Sequence, residues 1–350
     1  MSHPLADFYR GKRVLVTGHT GFQGGWAVAT LKTLGAQVYG YGLPPATRPN
    51  FFDATLLDRD ITSSFSDVRD RNSLAKAFGE FQPEIVLHCG LRSNPQFATR
   101  EPVETFSTNV MGTVHILEEA RLTESVHALV IVNSVHARDD FANTERPGMR
   151  DASMTCSESA RAAFQDAFLR NSRAAAATAC APDAIGGGDW GEGRIVPNLV
   201  RSLMAGEPVQ ILDGPKLLAG HVLDAIYGYL LLAQKLFQDG QKYSGLWHFS
   251  PGARRMATPA DLAKKFLKLW DAKAKCDLED ARQEERPLSS EIKGKARTEL
   301  GWSELLSADC ALRWAVEWYR DFYADSSLVW RTTENQIERF TKSLPILVEA

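Results

Sequence analysis

The stretch Val14-Leu-Val-Thr-Gly18-His-Thr-Gly21-Phe-Gln-Gly24-Gly25-Trp26 constrains this chain more than any other. Val14 to Thr17 form an apolar, β-branched run that reads as a buried strand. Glycines follow at Gly18, Gly21 and Gly24, and apolar residues at helical spacing (Trp26, Ala27, Ala29, Leu31, Leu34) begin at once. A strand, a turn without Cβ atoms and a helix start, in that order, bring free backbone N–H groups and the positive end of a helix dipole to one point. Such a point suits a pyrophosphate. The stretch therefore predicts a dinucleotide site built from Gly18, Thr20, Gly21, Phe22, Gln23 and Gly24.

The next segments keep the same rhythm. Residues 37–42 read as a second strand, ending in the proline-rich loop Leu43 to Pro49. No carboxylate stands at its end, where an adenosine ribose is usually held, so NAD and NADP both stay open and Arg48 would suit the extra phosphate. Asp67-Val68 precede a helix over 71–81 with Asp70 as its N-cap. A strand over 84–90 runs into Cys89-Gly90, a long helix over 102–121 contains Asn109, and strands at 128–134 and 175–180 flank a helix over 155–171. Arg48, Asp67, Val68, Cys89, Gly90 and Asn109 join the cofactor-binding candidates. The alternation predicts an α/β fold, a Rossmann-type doubly wound parallel sheet, over residues 1–190. Beyond Trp190 it loosens into a smaller mixed α/β portion, 191–325, followed by a tail, 326–350. The cleft between the two portions is the expected ligand site.

Composition narrows the function classes. The formal net charge is −3, which gives no reason to expect nucleic acid or an anionic membrane surface as partner. The apolar run around Tyr229 to Ala233 is far shorter than the roughly 20 residues of a membrane span, and Met1 to Arg10 lack the apolar centre of a signal peptide. The five cysteines are scattered, with no C-x-x-C pair, which fits reduced thiols in a cytoplasm rather than a metal site.

Six pieces carry a resemblance: Gly18-His-Thr-Gly21-Phe-Gln-Gly24, Thr108-Asn109-Val-Met-Gly112-Thr113-Val-His115, Ile185-Gly-Gly-Gly-Asp189-Trp190, His221-Val-Leu-Asp224, Gly228-Tyr-Leu-Leu-Leu232-Ala233 and Leu300-Gly301-Trp302. Together they resemble the extended short-chain dehydrogenase/reductase family, and within it the CDP-glucose 4,6-dehydratases, over residues 10 to about 320. The resemblance implies NAD as cofactor, a nucleotide sugar (CDP-linked) as substrate, and a substrate set of Arg92, Asp183, Arg194 and His221. It also implies a homodimer formed through helices 102–121 and 155–171.

The family's chemistry rests on a tyrosine acidified by a lysine four residues on, lying on the helix after the Asn133-Ser134 strand. Here no tyrosine stands between Tyr41 and Tyr227, and no lysine between Lys76 and Lys216. Alignment to that pattern puts Met154 at the tyrosine and Glu158 at the lysine. A thioether cannot shuttle a proton, and a carboxylate raises rather than lowers the pKa of a neighbouring acid. Where the family supplies an acid and a base for elimination, this chain has Val135 and His136. The remaining candidates for acid–base work are Ser134, His136 and Glu158. Three readings stay open: a nucleotide-sugar-binding member unable to run the standard dehydration, an enzyme of altered chemistry with His136 as acid or base, and a 4,6-dehydratase whose missing groups come from elsewhere, such as Tyr227.

Overall fold

A computed structural model describes residues 3–134, 149–213, 217–218, 220–250, 256–271, 276–280 and 294–345. Seven strands form one wholly parallel sheet: β1 (Arg13–Thr17), β2 (Gln37–Gly42), β3 (Thr62–Phe65), β4 (Ile85–His88), β5 (Ala128–Ser134), β6 (Ala175–Ala181) and β7 (Gly245–His248). Their order is β7-β6-β5-β4-β1-β2-β3, so the direction of winding reverses between β1 and β4. Parallel strands are covered on both faces, which is why the inner ones are apolar runs rather than alternating patterns. The pleat sends Val14, Val16, Ile85, Leu87 and Val130 into one core and Leu15, Val86, Leu129 and Ile131 into the other.

The covering helices are α1 (Phe22–Thr33), α2 (Arg71–Phe81), α3, α4, α5 (Ile195–Ala205), α6 (Val222–Asp239), α7 (Ala308–Ala324) and α8 (Val329–Lys342). Helix α3 runs from Pro102 through a π-helical turn at Ser107–Met111 to Leu122, and α4 runs from Met149 to a π-helical turn at Gln165–Leu169. Asp70 caps α2 as its sequence position suggests, accepting from the backbone N–H groups of Asn72 and Ser73. Helix α4 begins six residues before the expected 155, because the preceding residues carry no apolar period to announce a helix.

Residues 222–248 return to the first sheet. Helix α6 is buried on every side from Val222 to Ala233, as a helix with no polar face must be. It lies over β5 and β6, where Ala175, Ala177 and Ala179 offer a surface low enough for close approach. β7 then pairs with β6. At the far end, α8 packs against α1 and α7. Thr333 accepts from the Trp318 indole at 2.8 Å, and the Lys32 ammonium of α1 sits 4.2 Å from the Trp330 ring. Among the described residues no helix is long and apolar enough to cross a membrane.

Candidate functional site: a glycine cradle at the sheet's carboxyl edge

Gly18 follows β1 with φ +68°, and a Cβ there would lie 2.6 Å from the Cys89 carbonyl oxygen, so only glycine fits. At Gly24 a Cβ would collide with the Gly18 carbonyl. These two glycines let β1, the turn and α1 close on each other. Gly21 does different work. It is the exposed N-cap of α1, makes no side-chain cap, and is followed by a first turn without an acidic residue. The helix thus begins with backbone donors and a positive dipole end available to an anion.

Around this turn the side chains are fastened. The Thr20 hydroxyl donates to the Leu43 carbonyl at 2.8 Å, tying the turn to the end of β2. His19 fills the groove over Gly40, where a Cβ would collide with its ring, and packs edge-on to Phe52. Burial lowers its pKa to about 4, so it is neutral. Phe22 reaches Gly186, where an added Cβ would touch its ring at 3.0 Å. Gln23 accepts at 3.0 Å from the hydroxyl of Tyr229, which enters from α6. Sequence reasoning missed Tyr229, since nothing local marks a residue inside an apolar helix as facing a turn 206 residues away. Burial raises its pKa well above the usual phenol value, so it positions Gln23 as a neutral donor.

On the rim, Arg48 is exposed in the loop after β2. The Asp67 carboxylate is held by Arg69 at 2.8 Å, and Arg69 in turn reaches Glu104 at 2.5 Å. The Asp67 pKa is lowered, chiefly by the hydrogen bond from Arg69. Val68 is buried beneath Gly90 and Gly112, and a Cβ at Gly112 would come within 2.8 Å of its side chain. Gly90 donates from its backbone to the Thr17 hydroxyl at 3.2 Å, and the same hydroxyl meets the His88 ring at 2.6 Å. Burial pushes the Cys89 thiol up to about 12. Asn109, in the π-helical turn of α3, accepts from the backbone N–H of Arg92 at 2.7 Å and donates to its carbonyl at 3.0 Å. It shapes the loop after β4. Arg92 itself lies over the Phe97 ring at 4.2 Å.

Helix α4 faces this edge with few groups to offer. Ser153 and Ser157 meet Asn109 and Thr113 at 3.0 and 2.8 Å. Met154, 2% exposed, packs with Cys180 against Leu91 and Leu246. The Asn133 amide donates to the Met154 carbonyl at 3.0 Å. Glu158, 1% exposed, is closed on Arg161 by contacts of 2.6, 2.9 and 3.1 Å. The Ser134 side chain and His136 lie outside the described residues.

The substrate-side candidates are dispersed. Arg194 pairs with Asp189 at 2.9 Å, while the charge of the exposed Asp183 also acts on Arg194. His221 caps α6, its Nδ1 accepting from Leu223 at 3.2 Å, and burial lowers its pKa to about 3. It lines a small cleft with Pro182, Ala184, Asp224, Phe249 and Trp302. The Gly186-Gly-Gly-Asp-Trp190 segment is taken up by packing: Trp318 occupies the space a Cβ at Gly187 would need, and the Gly187 carbonyl accepts from the Trp26 indole at 2.9 Å. Tyr227 stacks edge-on to Phe340 of α8, away from the cradle, and burial raises its pKa to about 12.

The comparisons agree with this geometry. The sequence profile of the NAD dependent epimerase/dehydratase family matches residues 14–244. Over 332 residues the chain is 33% identical to the CDP-glucose 4,6-dehydratase of Salmonella typhimurium, covering 90% of this chain and 92% of that protein. An epimerase from Methanothermobacter thermautotrophicus is similar in structure with a TM-score of 0.75, at 19% identity, over 93% of this chain and 98% of that one. The UDP-glucose 4-epimerase of Thermus thermophilus, solved in complex with NAD, gives a TM-score of 0.72 at 20% identity over 88% and 99%. A pyrophosphate cradle on a seven-stranded parallel sheet, with a profile match running from β1 past α6, has one consistent meaning: this chain belongs to the NAD dependent epimerase/dehydratase family.

Proposed function

We propose that this chain binds NAD and a CDP-linked nucleotide sugar and does not carry out 4,6-dehydration. The cradle supports the cofactor half of that reading: glycine where Cβ atoms would collide, and an uncapped helix start. One observation carries the rest. Where the family places a phenol and an ammonium group, α4 carries a buried thioether, Met154, and a carboxylate, Glu158, already closed on Arg161. NAD when bound would supply a hydride acceptor, but a proton must leave the sugar hydroxyl at the same time. Acid–base help of that kind is worth about 10²–10⁴-fold per group.

Two measurements test this. Native mass spectrometry of the purified protein should show retained NAD. Incubation with CDP-glucose should yield no product lighter by one water, and turnover above about 1 s⁻¹, an ordinary enzyme rate, would end the proposal.

The partner of this chain in the proposal is a second copy, meeting through α3 and α4. These helices expose Val103 (79%), Phe106, Met111, Leu122 and Phe168 (60%), an unusual amount of apolar surface for two neighbouring elements. Sedimentation should give a dimer, and Val103→Lys with Phe168→Glu should give monomers.

A further inference from the structure

Residues 8–52 build β1, the cradle, α1, β2 and the loop after it, and they contain no aspartate or glutamate. They hold five lysines and arginines. Four of these are taken: Arg10 pairs with Asp7, Lys12 and Arg13 with Glu84, and Lys32 with Asp60. Arg48 is exposed and has no ion-pair partner among the described residues.

The loop that carries Arg48 is fastened at both ends against the cradle. At its start the Thr20 hydroxyl donates to the Leu43 carbonyl at 2.8 Å. At its end the Asn50 amide donates to the Thr47 carbonyl at 3.0 Å and to the Asp53 carboxylate at 2.7 Å, and accepts from the Asp53 backbone N–H at 2.8 Å. Phe51 then stacks on the Trp26 ring of α1, centroids 5.0 Å apart, and fills the space a Cβ at Gly25 would need. A free guanidinium is thus carried between two anchors past the carboxyl end of β2. The next acid in the chain, Asp53, is held by Asn50.

In this fold the adenosine ribose of a bound dinucleotide lies at that end of the second strand. A carboxylate there accepts from the 2′-hydroxyl and repels a 2′-phosphate, whereas an arginine meets the phosphate with charge-assisted hydrogen bonds. We propose that the cradle admits NADP beside NAD, and that Arg48 is the residue that receives the 2′-phosphate. The proposal rests on the reading of the cradle as a dinucleotide site and names the group that sets its tolerance at the ribose. Both cofactors share the pyrophosphate at Gly21 and the start of α1, and only NADP calls on Arg48.

Isothermal titration calorimetry of the full chain, freed of bound nucleotide on charcoal, tests this with NAD+ and NADP+ on the native protein and on Arg48→Ala. The expected result is a Kd for NADP+ within about tenfold of that for NAD+ on the native protein. In Arg48→Ala the affinity for NADP+ should fall by about fivefold or more, with a smaller change for NAD+. Arg48 is exposed, so the variant should melt with the native protein. NADP+ weaker than NAD+ by more than about tenfold, a smaller loss in the variant, or an equal loss for both cofactors overturns the inference and leaves dinucleotide binding standing. Absence of binding by both cofactors overturns that reading as well.

Discussion

Glu158 is a buried carboxylate closed on Arg161. A buried carboxylate tolerates the loss of water because Arg161 faces it through three contacts of 3.1 Å or less. Glu158→Leu should lower stability by about 3–5 kcal/mol in urea titrations, since it strands the guanidinium. Pairing it with Arg161→Met should recover most of that loss, because two apolar side chains of similar size carry no desolvation penalty. Without that recovery the loss would come from something other than the stranded guanidinium. The sequence alone showed that a carboxylate stands at this position. It could not show that the carboxylate is buried against Arg161, because Arg161, three residues on, could as easily have faced solvent. At the glycine turn the reverse holds. Gly24→Ala should weaken NAD binding by roughly tenfold or more, as calorimetry would show, because the new Cβ meets backbone that cannot move without opening the turn.

At the scale of elements, the join between α7, α8 and the Gly186-Gly-Gly-Asp-Trp190 segment deserves a direct test. Trp318 touches Phe51, Trp190 and Phe322 in ring contacts and sits where a side chain at Gly187 would be. Trp318→Ala should cost about 3–5 kcal/mol, and removal of residues 326–350 should lower the melting temperature by uncovering the faces of α1 and α7 that Val329, Thr333, Ile337 and Phe340 cover. A truncated chain that melts like the full one would mean that α8 is dispensable. The helical spacing of Trp314, Trp318 and Phe322 was legible as a core stripe. The reach of that stripe to α8 was not, because the residues of α8 carry low overall hydropathy and only their placement on one face buries them.

For the whole molecule, three neutral imidazoles link stability to pH. Burial lowers His88 and His221 to about 3 and His19 to about 4, from the usual 6.5. The unfolded chain therefore takes up protons that the folded one refuses. The associated stability is complete above pH 6.5 and is lost as the pH falls through the window from 6.5 towards 3. Between pH 7 and 5 each imidazole should remove about 2 kcal/mol. Urea titrations at the two values should show the drop, and His221→Asn, which keeps a capping acceptor on α6, should shrink it. An equal drop in that variant would place the acid sensitivity elsewhere.

The sequence by itself determined five of the sheet's seven strands, the glycine cradle and the absence of a tyrosine and lysine from the helix that would carry them. These are local facts, since strand runs, glycine spacing and residue identity are written within a few neighbouring positions. Only the tertiary structure decided that residues 222–248 return to the first sheet, that Tyr229 meets Gln23, and that Asn109, Asn133 and Glu158 are bonded to Arg92, Met154 and Arg161. Each of these depends on what a side chain meets far away in the chain. A hydrogen bond or a buried ion pair is chosen between partners that folding alone brings together.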